Sequence, residues 1–353
     1  MTKRVLLIKM SSLGDLVHSY PALTDAQKAI PGIQFDWVVE APFKDLPKLH
    51  PAVKQVIVNP RLAINKNRLS FQALKLYQNF KRQIQATDYD AIIENQYVNK
   101  GAKVAKLARG PKHGLTADTA HDPGIAKLFD HTHYVSRALH AVDRSRKLMA
   151  LSLGYDYEPA VENSSLDYGL DLSGIALTEH LANWQAAAGD YLVFCQATTW
   201  PTKHLPTDMW VPLLIKAKQA GLKVLLPWVG EKEQNQVADM IRLAEWGEML
   251  PPQPLDQWAK LIAGAQGVIG VDTGLTHLAA ALERPTLALF GPTNPLLTGA
   301  KGRQATTYWL DLACSPCMQT RCPLAAGQVC FSRMKVDDIW RMFENLKLRF
   351  NYD

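Results

Sequence analysis

Residues 267–292, GVIGVDTGLTHLAAALERPTLALFGP, constrain the fold of this chain more than any other stretch. The apolar run Val268–Val271 predicts a strand, Leu275–Leu282 a helix of small residues, and Thr286–Phe290 a second strand. Strand, turn, helix and strand in so few residues form the βαβ unit of a parallel sheet. The polar turn Asp272-Thr273-Gly274 follows the first strand, at the edge where open α/β sheets bind ligands. We expect this turn and the helix N-terminus to hold a phosphate-bearing ligand.

Strands and helices alternate in both halves of the chain, which predicts two consecutive doubly wound α/β domains. In the first half, the predicted strands are Arg4–Lys9, Gln34–Val39, Gln55–Val58, Tyr89–Glu94 and Lys112–Leu115, and the predicted helices are Leu16–Ile30, Phe71–Ile84 and His131–Leu153. In the second half, the predicted strands before the βαβ unit are Tyr191–Cys195 and Lys223–Leu226, and the predicted helices are Thr207–Gln219, Glu233–Leu243 and Leu255–Ala265.

The domain boundaries follow from this alternation. Residues 1–170 are expected to form the first Rossmann-like domain and residues 171–335 the second, with a cleft between them. Residues 155–188 contain Pro, Gly and Asn-Ser-Ser and are interpreted as the connection. A last helix, Val336–Leu348 within 336–353, fits against either half.

Length and charge exclude several classes of protein. A chain of 353 residues suits two domains, and no apolar run approaches the roughly 20 residues of a membrane span. The apolar start is too short for a secretory signal, so a cytoplasmic location is expected. The net charge of +6 suits an anionic partner, or describes an ordinary basic enzyme. No arginine-rich stretch or aromatic–basic ladder indicates nucleic-acid binding.

Two loops at strand ends carry candidate chemistry. In Ser11-Ser12-Leu13-Gly14-Asp15, Gly14 allows close approach of a ligand. Asp15 suits a general base, but from the spacing alone a carboxylate that caps the helix is the favoured interpretation. After the strand ending at Cys195, Thr198, Thr199 and Lys203 suit a phosphate, although Thr202 or Thr207 as a cap and a solvated lysine explain the pattern equally well.

Four further features bear on the function. Glu231 and Glu233 follow Pro227-Trp228 and suit ribose hydroxyls, whereas His277 lies one helical turn beyond Gly274, where a packed histidine is the simpler interpretation. Neither half has the G-x-G-x-x-G pattern after its first strand, which argues against an NAD-linked dehydrogenase. Four cysteines in a C-x2-C-x4-C-x7-C arrangement leave two interpretations open, a structural zinc site or reduced, packed thiols: Cys314, Cys317, Cys322 and Cys330.

Taken together, these loops resemble the heptosyltransferase family of glycosyltransferases, which build the inner core of lipopolysaccharide. The resemblance covers most of the chain. It is carried by VLLIKMSSLGD at 5–15, PALTDA at 21–26, FDWVVE at 35–40, ENQ at 94–96, KHG at 112–114, ATT with KH-x-P at 197–206, LPW at 226–228 and VDTGLTHL at 271–278. The last motif is the most specific of these.

The resemblance implies the GT-B architecture, with the acceptor bound by the N-terminal domain and ADP-heptose by the C-terminal domain. It implies an inverting reaction without catalytic metal or cofactor, in which Asp15 is the general base and Lys203 assists catalysis. The donor-binding residues would be Thr198, Thr199, Lys203, Glu233, Asp272, Thr273, Gly274 and His277. The acceptor-binding residues would be Ser12, Gly14, Arg61, Lys66, Arg68, Gln96 and His121.

The implied acceptor is the Kdo region of lipid A, reached by peripheral contact at the cytoplasmic face of the inner membrane. ATT, LPW and FDWVVE favour transfer of the first heptose. Two departures leave transfer of the second heptose open: His121 stands where the first-heptose pattern T-A-R-E-P has arginine, and the cysteine segment is more typical of second-heptose relatives. A zinc-stapled nucleotide-binding module without transferase activity is the alternative from another class.

Overall fold

The computed structural model describes residues 2–66, 70–159 and 166–350. The chain divides into two compact units, one of Met1–Val161 with Asp167–Asp171 and the other of Glu162–Leu166 with Leu172–Asp353. In the described residues, no helix combines the length and the apolar character needed to cross a bilayer.

The first unit is built on a parallel sheet of six strands in the order β3-β2-β1-β4-β5-β6. The strands are β1 (Arg4–Ile8), β2 (Gln34–Glu40), β3 (Val53–Asn59), β4 (Ala91–Glu94), β5 (Lys112–Leu115) and β6 (His131–His133). The helices are α1 (Leu13–Val17), α2 (Tyr20–Ala29), α3 (Arg61–Lys66), α4 (Phe71–Gln85), α5 (Asn99–Ala105) and α6 (Ala141–Leu153), and the short 3-10 helices are Ala41–Phe43, Pro47–Leu49 and Pro123–Leu128.

The second unit has a parallel sheet of five strands in the order β11-β10-β9-β7-β8. The strands are β7 (Tyr191–Cys195), β8 (Lys223–Leu225), β9 (Gly267–Val271), β10 (Thr286–Phe290) and β11 (Ala305–Trp309). The helices are α7 (Glu179–Ala188), α8 (Thr207–Gln219), α9 (Gly230–Ala244), α10 (Leu255–Ala263), α11 (Gly274–Ala281), α12 (Pro295–Thr298), α13 (Val329–Ser332) and α14 (Val336–Phe350), with a 3-10 helix at Pro201–Lys203.

Both sheets consist of apolar strands and are covered by helices. In the first unit, Leu6 and Ile8 of β1 join Phe80 and Ile84 of α4 in one core. In the second unit, Trp210 of α8 and Phe343 of α14 are fully buried in the same cluster, so the C-terminal helix packs on the second unit. Continuous apolar strands are typical of a parallel sheet covered on both faces.

The structure corrects three predicted elements. The single helix predicted at Leu16–Ile30 is two helices, α1 and α2, because Pro21 in the first turn of α2 lacks the N–H that a continuous helix needs. The helix predicted at His131–Leu153 is wrong over its first part, where β6 pairs with β5. The predicted connection at 155–188 contains α7, whose Leu181 is buried.

Candidate functional site

The first group of predicted site residues lies where the strand order of the first sheet reverses. The chain runs from β1 outward to β3 and returns to β4 on the other side of β1. The loop after β1 and the segment after β4 are therefore adjacent at the carboxyl edge. Open α/β sheets bind ligands at such a reversal.

Asp15 lies in the first turn of α1, and its carboxylate is held by two neighbours. Its Oδ2 accepts the Ser12 N–H at 2.9 Å and the Ser12 hydroxyl at 2.7 Å, while the Lys9 Nζ lies 3.4 Å from Oδ1. Burial opposes ionisation, but Lys9 and the Ser12 hydrogen bonds outweigh it and lower the pKa of Asp15. The carboxylate caps the helix through the Ser12 N–H and is ionised at pH 7 because its pKa is lowered. It also remains accessible, since 44% of the side chain is exposed.

Gln96 fixes the loop that carries Asp15. Its Oε1 accepts the N–H groups of Met10 at 2.7 Å and Ser11 at 3.1 Å, and its Nε2 donates to the Ser11 carbonyl at 2.7 Å. Both ends of the amide are thus engaged by the loop. In the structure Gln96 positions the backbone beside Asp15, and its predicted contact with the acceptor stays a prediction. Gly14, also in α1, accepts the His18 N–H through its carbonyl at 2.9 Å.

Lys9 is the buried cation of this loop, with 4% of its surface exposed. Its Nζ lies 4.9 Å from the centre of the Tyr97 ring, in addition to its contact with Asp15.

Glu94 at the end of β4 is fully buried, and its carboxylate accepts the N–H groups of Gln96 and Tyr97. Burial raises the pKa of Glu94 to about 8, although these hydrogen bonds and Lys9 oppose the rise.

Arg144 of α6 is a cation near this site that the sequence analysis missed. Its guanidinium carbon lies 4.7 Å from the centre of the Tyr97 ring. Within the described residues, its buried Nε and Nη2 have no hydrogen-bond partner. His121 lies 6.5 Å from the Tyr97 ring, and burial, followed by Arg144 and Arg137, lowers its pKa. His121 is therefore neutral at pH 7, and Arg144 supplies the charge; only its position on the folded helix reveals it.

Of the basic residues predicted to meet the acceptor, Arg61 is placed at the start of α3. Its guanidinium forms an ion pair with the Glu40 Oε1 at 2.7 Å, and 43% of its side chain is exposed. Lys66 ends α3, but its side chain is outside the described residues, and Arg68 lies outside them entirely.

The second group lies at the corresponding reversal of the second sheet. The chain passes from β7 to β8 and returns to β9 on the other side of β7. The ends of β7 and β9 are therefore adjacent, and the Thr198 hydroxyl donates to the Asp272 carbonyl at 3.1 Å. Thr199 is exposed beside it. The sequence placed both segments on strand ends, and the sheet order brings them together.

Asp272 is the centre of this second group. Its carboxylate is 8% exposed and contacts Lys203 Nζ at 2.8 Å, His277 Nε2 at 3.2 Å and the Thr293 hydroxyl at 2.7 Å. Burial opposes ionisation, but His277 and Lys203 outweigh it and hold the pKa of Asp272 well below its usual range. Thr293, from the loop after β10, was not predicted; only its contact with Asp272 identifies it.

Lys203 is oriented from two sides. Its side chain is 17% exposed, and its Nζ lies 4.9 Å from the centre of the Trp200 ring as well as against Asp272. An ammonium with three donors retains capacity for a further acceptor beyond the carboxylate. Lys203 is therefore an ordered cation at the end of the second sheet.

The N-terminus of α11 adds a second source of positive potential. Thr273 is the N-cap residue and Gly274 the first helical residue, directly after β9. The backbone here is closely packed, because a Cβ on Gly270 would lie 2.1 Å from the Thr276 Oγ1. Backbone N–H groups at a helix start favour a phosphate.

Glu233 has a structural partner in the described residues. Its Oε2 accepts the Val229 N–H at 2.8 Å, which caps the N-terminus of α9. At the ends of β7 and β8, the buried Gln196 Oε1 and Trp228 Nε1 have no hydrogen-bond partner in the described part of the chain. These two polar atoms were not among the predicted site groups.

The structure does not support the zinc interpretation of the cysteines. In the described residues, which include all four thiols, no three or more Cys, His, Asp or Glu side chains are placed to hold a metal ion. The Cys322 thiol donates to the Gly327 carbonyl at 3.2 Å. Burial raises the pKa of the Cys330 thiol, and the nearby thiols of Cys317, Cys314 and Cys322 raise it further, so Cys330 is a neutral thiol at pH 7.

Comparison with known proteins identifies the family. The model of glycosyltransferase family 9 (heptosyltransferase) matches residues 77–326. The chain belongs to this family. It is 42% identical over 323 residues to lipopolysaccharide heptosyltransferase 1 of Pseudomonas aeruginosa, covering 90% of this chain and 87% of that protein. It is 40% identical over 305 residues to lipopolysaccharide heptosyltransferase 1 of Escherichia coli K12, covering 85% of this chain and 91% of that protein.

A solved structure agrees with the family assignment. The structure of E. coli heptosyltransferase WaaC with ADP superposes with a TM-score of 0.82 at 35% identity, covering 97% of this chain and 99% of that chain. The predicted GT-B fold of two Rossmann-like domains is confirmed, and the chain is a glycosyltransferase of the heptosyltransferase family.

Proposed function

We propose that the protein transfers heptose from ADP-heptose to the Kdo region of lipid A, as the first heptose of the lipopolysaccharide inner core. The observation that carries the proposal is the pairing of chemistry at the two sheet reversals. One holds the ionised, accessible Asp15, and the other holds the Lys203–Asp272 pair beside a helix N-terminus. These are the base and the diphosphate-stabilising cation that an inverting transfer needs.

The choice of the first heptose is supported by the relatives. Proteins named heptosyltransferase 1 match 85% and 90% of this chain at 40% and 42% identity. A lipooligosaccharide heptosyltransferase 2 from Haemophilus ducreyi matches 32% of this chain at 32% identity. In addition, a solved E. coli relative contains ADP-2-deoxy-2-fluoro heptose and aligns with a TM-score of 0.79, which supports ADP-heptose as the donor.

In the proposed mechanism, Asp15 accepts the proton of an acceptor hydroxyl, whose oxygen then attacks the anomeric carbon of the heptose. The bond to the diphosphate breaks on the opposite face, and ADP leaves with inversion. Lys203 and the α11 N-terminus stabilise the charge that develops on the diphosphate. Asp272 positions Lys203, because both of its carboxylate oxygens are occupied by protein groups. No step requires a metal or an organic cofactor.

The two units divide the substrates in this proposal. The second unit binds the donor through Thr198, Thr199, Lys203, Glu233, Asp272, Thr273, Gly274 and His277. The first unit binds the acceptor near Ser12, Gly14, Gln96 and His121, with Arg61, Lys66 and Arg68. We add Arg144 to the acceptor set, since its Nε and Nη2, which have no partner among the described residues, suit the carboxylate of a sugar acid. The protein would work at the cytoplasmic face of the inner membrane without spanning it.

The test is the Asp15→Asn variant with Asp88→Asn as its control. Asp88 is an exposed carboxylate just before β4, at the opposite edge of the same sheet. We expect Asp15→Asn to bind ADP-heptose with unchanged affinity by calorimetry but to lose transfer at least about a hundredfold, as expected for loss of a general base. Asp88→Asn should retain both properties.

Products weighed by mass spectrometry, with Kdo-lipid A or its mono-heptosylated form as acceptor, distinguish the first from the second heptose. Full turnover by Asp15→Asn would refute the assigned base. Transfer only to the mono-heptosylated acceptor would replace the first heptose by the second.

A further inference from the structure

The basic residues of this chain are concentrated in one segment. Residues 46–87 contain eight Lys and Arg and no Asp or Glu. The net charge of the whole chain is +6, so the remaining residues together carry a net charge of −2. This segment includes the edge strand β3 and the helices α3 and α4. The positive field of the protein therefore originates from one side of the first sheet.

Helix α4 has one face committed to the core. Ala73, Phe80 and Ile84 are buried at spacings of seven and four residues, which place them on one side of the helix. Phe80 and Ile84 belong to the core of the first unit. The Ser70 hydroxyl accepts the Ala73 N–H at 3.1 Å and fixes the start of the helix. The opposite face is thereby fixed in its orientation toward solvent.

That outer face combines apolar and basic side chains. Phe71 is 81% exposed and Leu74 is 52% exposed. Soluble proteins rarely expose large apolar side chains in clusters. Lys75 follows Phe71 by four residues, and Lys81 and Arg82 follow Leu74 and Lys75 by seven, so all lie on the same side of the helix. No acidic residue occurs in α4.

We propose that the outer face of α4, formed by Phe71, Leu74, Lys75, Lys81 and Arg82, binds the surface of an anionic lipid bilayer. Phe71 and Leu74 enter the boundary between headgroups and acyl chains, while the three cations meet lipid phosphates. A nucleic acid would match the cations but offers no apolar layer for Leu74. The proposal rests on α4 and the charge of its segment, independently of the proposed reaction; if both hold, α4 brings the enzyme to an acceptor that is itself a lipid.

The test uses the full-length protein and vesicles without any lipopolysaccharide precursor. Flotation with phosphatidylcholine vesicles containing about one third phosphatidylglycerol is compared with flotation in pure phosphatidylcholine, since anionic lipid supplies the attraction. Two variants probe the surface: Phe71→Ser with Leu74→Ser, and Lys75→Gln with Lys81→Gln and Arg82→Gln. Matched controls lie in the second unit. Leu243→Ser removes a side chain that is 53% exposed on α9, and Arg321→Gln with Arg333→Gln and Lys335→Gln removes three exposed cations.

We expect wild-type protein to float with anionic vesicles and both α4 variants to bind at least about tenfold more weakly, because the cations and the apolar groups each contribute. The two controls should bind as wild type does. Unchanged binding by the α4 variants, or equal loss in the charge control, would overturn the proposal. So would single-stranded RNA binding that exceeds vesicle binding and is unaffected by Phe71→Ser with Leu74→Ser.

Heptose transfer to a deacylated, water-soluble acceptor separates this proposal from the proposed function. The α4 variants should retain that transfer, because the substitutions are on an exposed face. If wild-type protein transfers no heptose to any acceptor but still binds vesicles through α4, the proposed function fails and the membrane surface stands.

Discussion

Protonation of the buried His50 makes the free energy of unfolding of the first unit depend on pH. The imidazole is 1% exposed. Its Nδ1 accepts the Ala52 N–H at 3.2 Å, and its Nε2 lies 3.0 Å from the Thr24 hydroxyl. If Nδ1 is protonated, it becomes a hydrogen-bond donor and can no longer accept the Ala52 N–H. Burial lowers the pKa of His50 to about 4, although the charge of Asp167 opposes the shift.

The direction of the effect follows from proton binding. Between pH 6.5 and about 4 the unfolded chain carries a proton on His50 and the folded chain does not. Stability from this group is therefore complete above pH 6.5 and is lost as the pH falls toward 4. Each pKa unit corresponds to about 1.4 kcal/mol, so the total loss is about 3 kcal/mol, of which about 2 kcal/mol is gone at pH 5.

The measurement compares wild type with His50→Gln, whose side-chain amide can still donate to Thr24 but cannot be protonated. The imidazole is tightly surrounded, since a Cβ on Gly169 would lie 2.7 Å from the His50 Nε2. Glutamine is therefore chosen, because its side chain is no larger than that of histidine. Urea-dependent hydrogen exchange of peptides from β1 to β3 reports the first unit alone, which a whole-chain signal from two units would not.

We expect the variant to be less stable at pH 7.5 and the difference from wild type to shrink by about 2 kcal/mol at pH 5. The control His180→Gln replaces an exposed histidine of α7 and should keep the wild-type pH dependence. A difference between wild type and His50→Gln that is the same at both pH values would refute the reasoning.

Two further predictions concern the candidate site. Lys9→Met should raise the pKa of Asp15 and move the acidic limb of the kcat/KM profile to higher pH, because Lys9 lies 3.4 Å from the carboxylate and stabilises its charged form; an unmoved limb would mean that Asp15 does not control it. Lys203→Met should weaken ADP binding measured by calorimetry and destabilise the second unit by about 3 kcal/mol, because it leaves the buried Asp272 without its ammonium partner. Asp272→Asn in the same chain should recover much of that stability but not the affinity, and recovery of both would contradict the assigned role of Lys203.

The sequence predicted the fold best where strands are buried on both faces. The bounds of β7 and β10 agree with the prediction, because their apolar runs end at polar or glycine-containing turns. Two edge strands were missed or taken for helix. His131–His133 has polar side chains, and Ala305–Trp309 is only half-buried, so neither shows the apolar run that marks a central strand.

The candidate site divides in the same way. Asp15, Lys203 and Asp272 follow strands in the sequence, so their common edges could be predicted. Thr293 and Arg144 come from elements far along the chain, and only the folded sheets bring them to Asp272 and Tyr97. Likewise, nothing in the sequence indicated that Gln96 and Glu233 bind backbone N–H groups. Long-range partners are set by packing, which a local pattern does not contain.

The contacts that hold Lys203 also affect when conformational entropy is lost. A free lysine side chain samples many rotamers, and ordering one costs about 2 kcal/mol. Here Asp272 and Trp200 order the ammonium during folding, before any ligand arrives. Under the proposed function, an incoming diphosphate would meet a cation whose rotamers are already restricted, and less of its interaction energy would be lost to ordering the protein. A nucleotide that dissociates would leave Lys203 still ordered by Asp272 and Trp200.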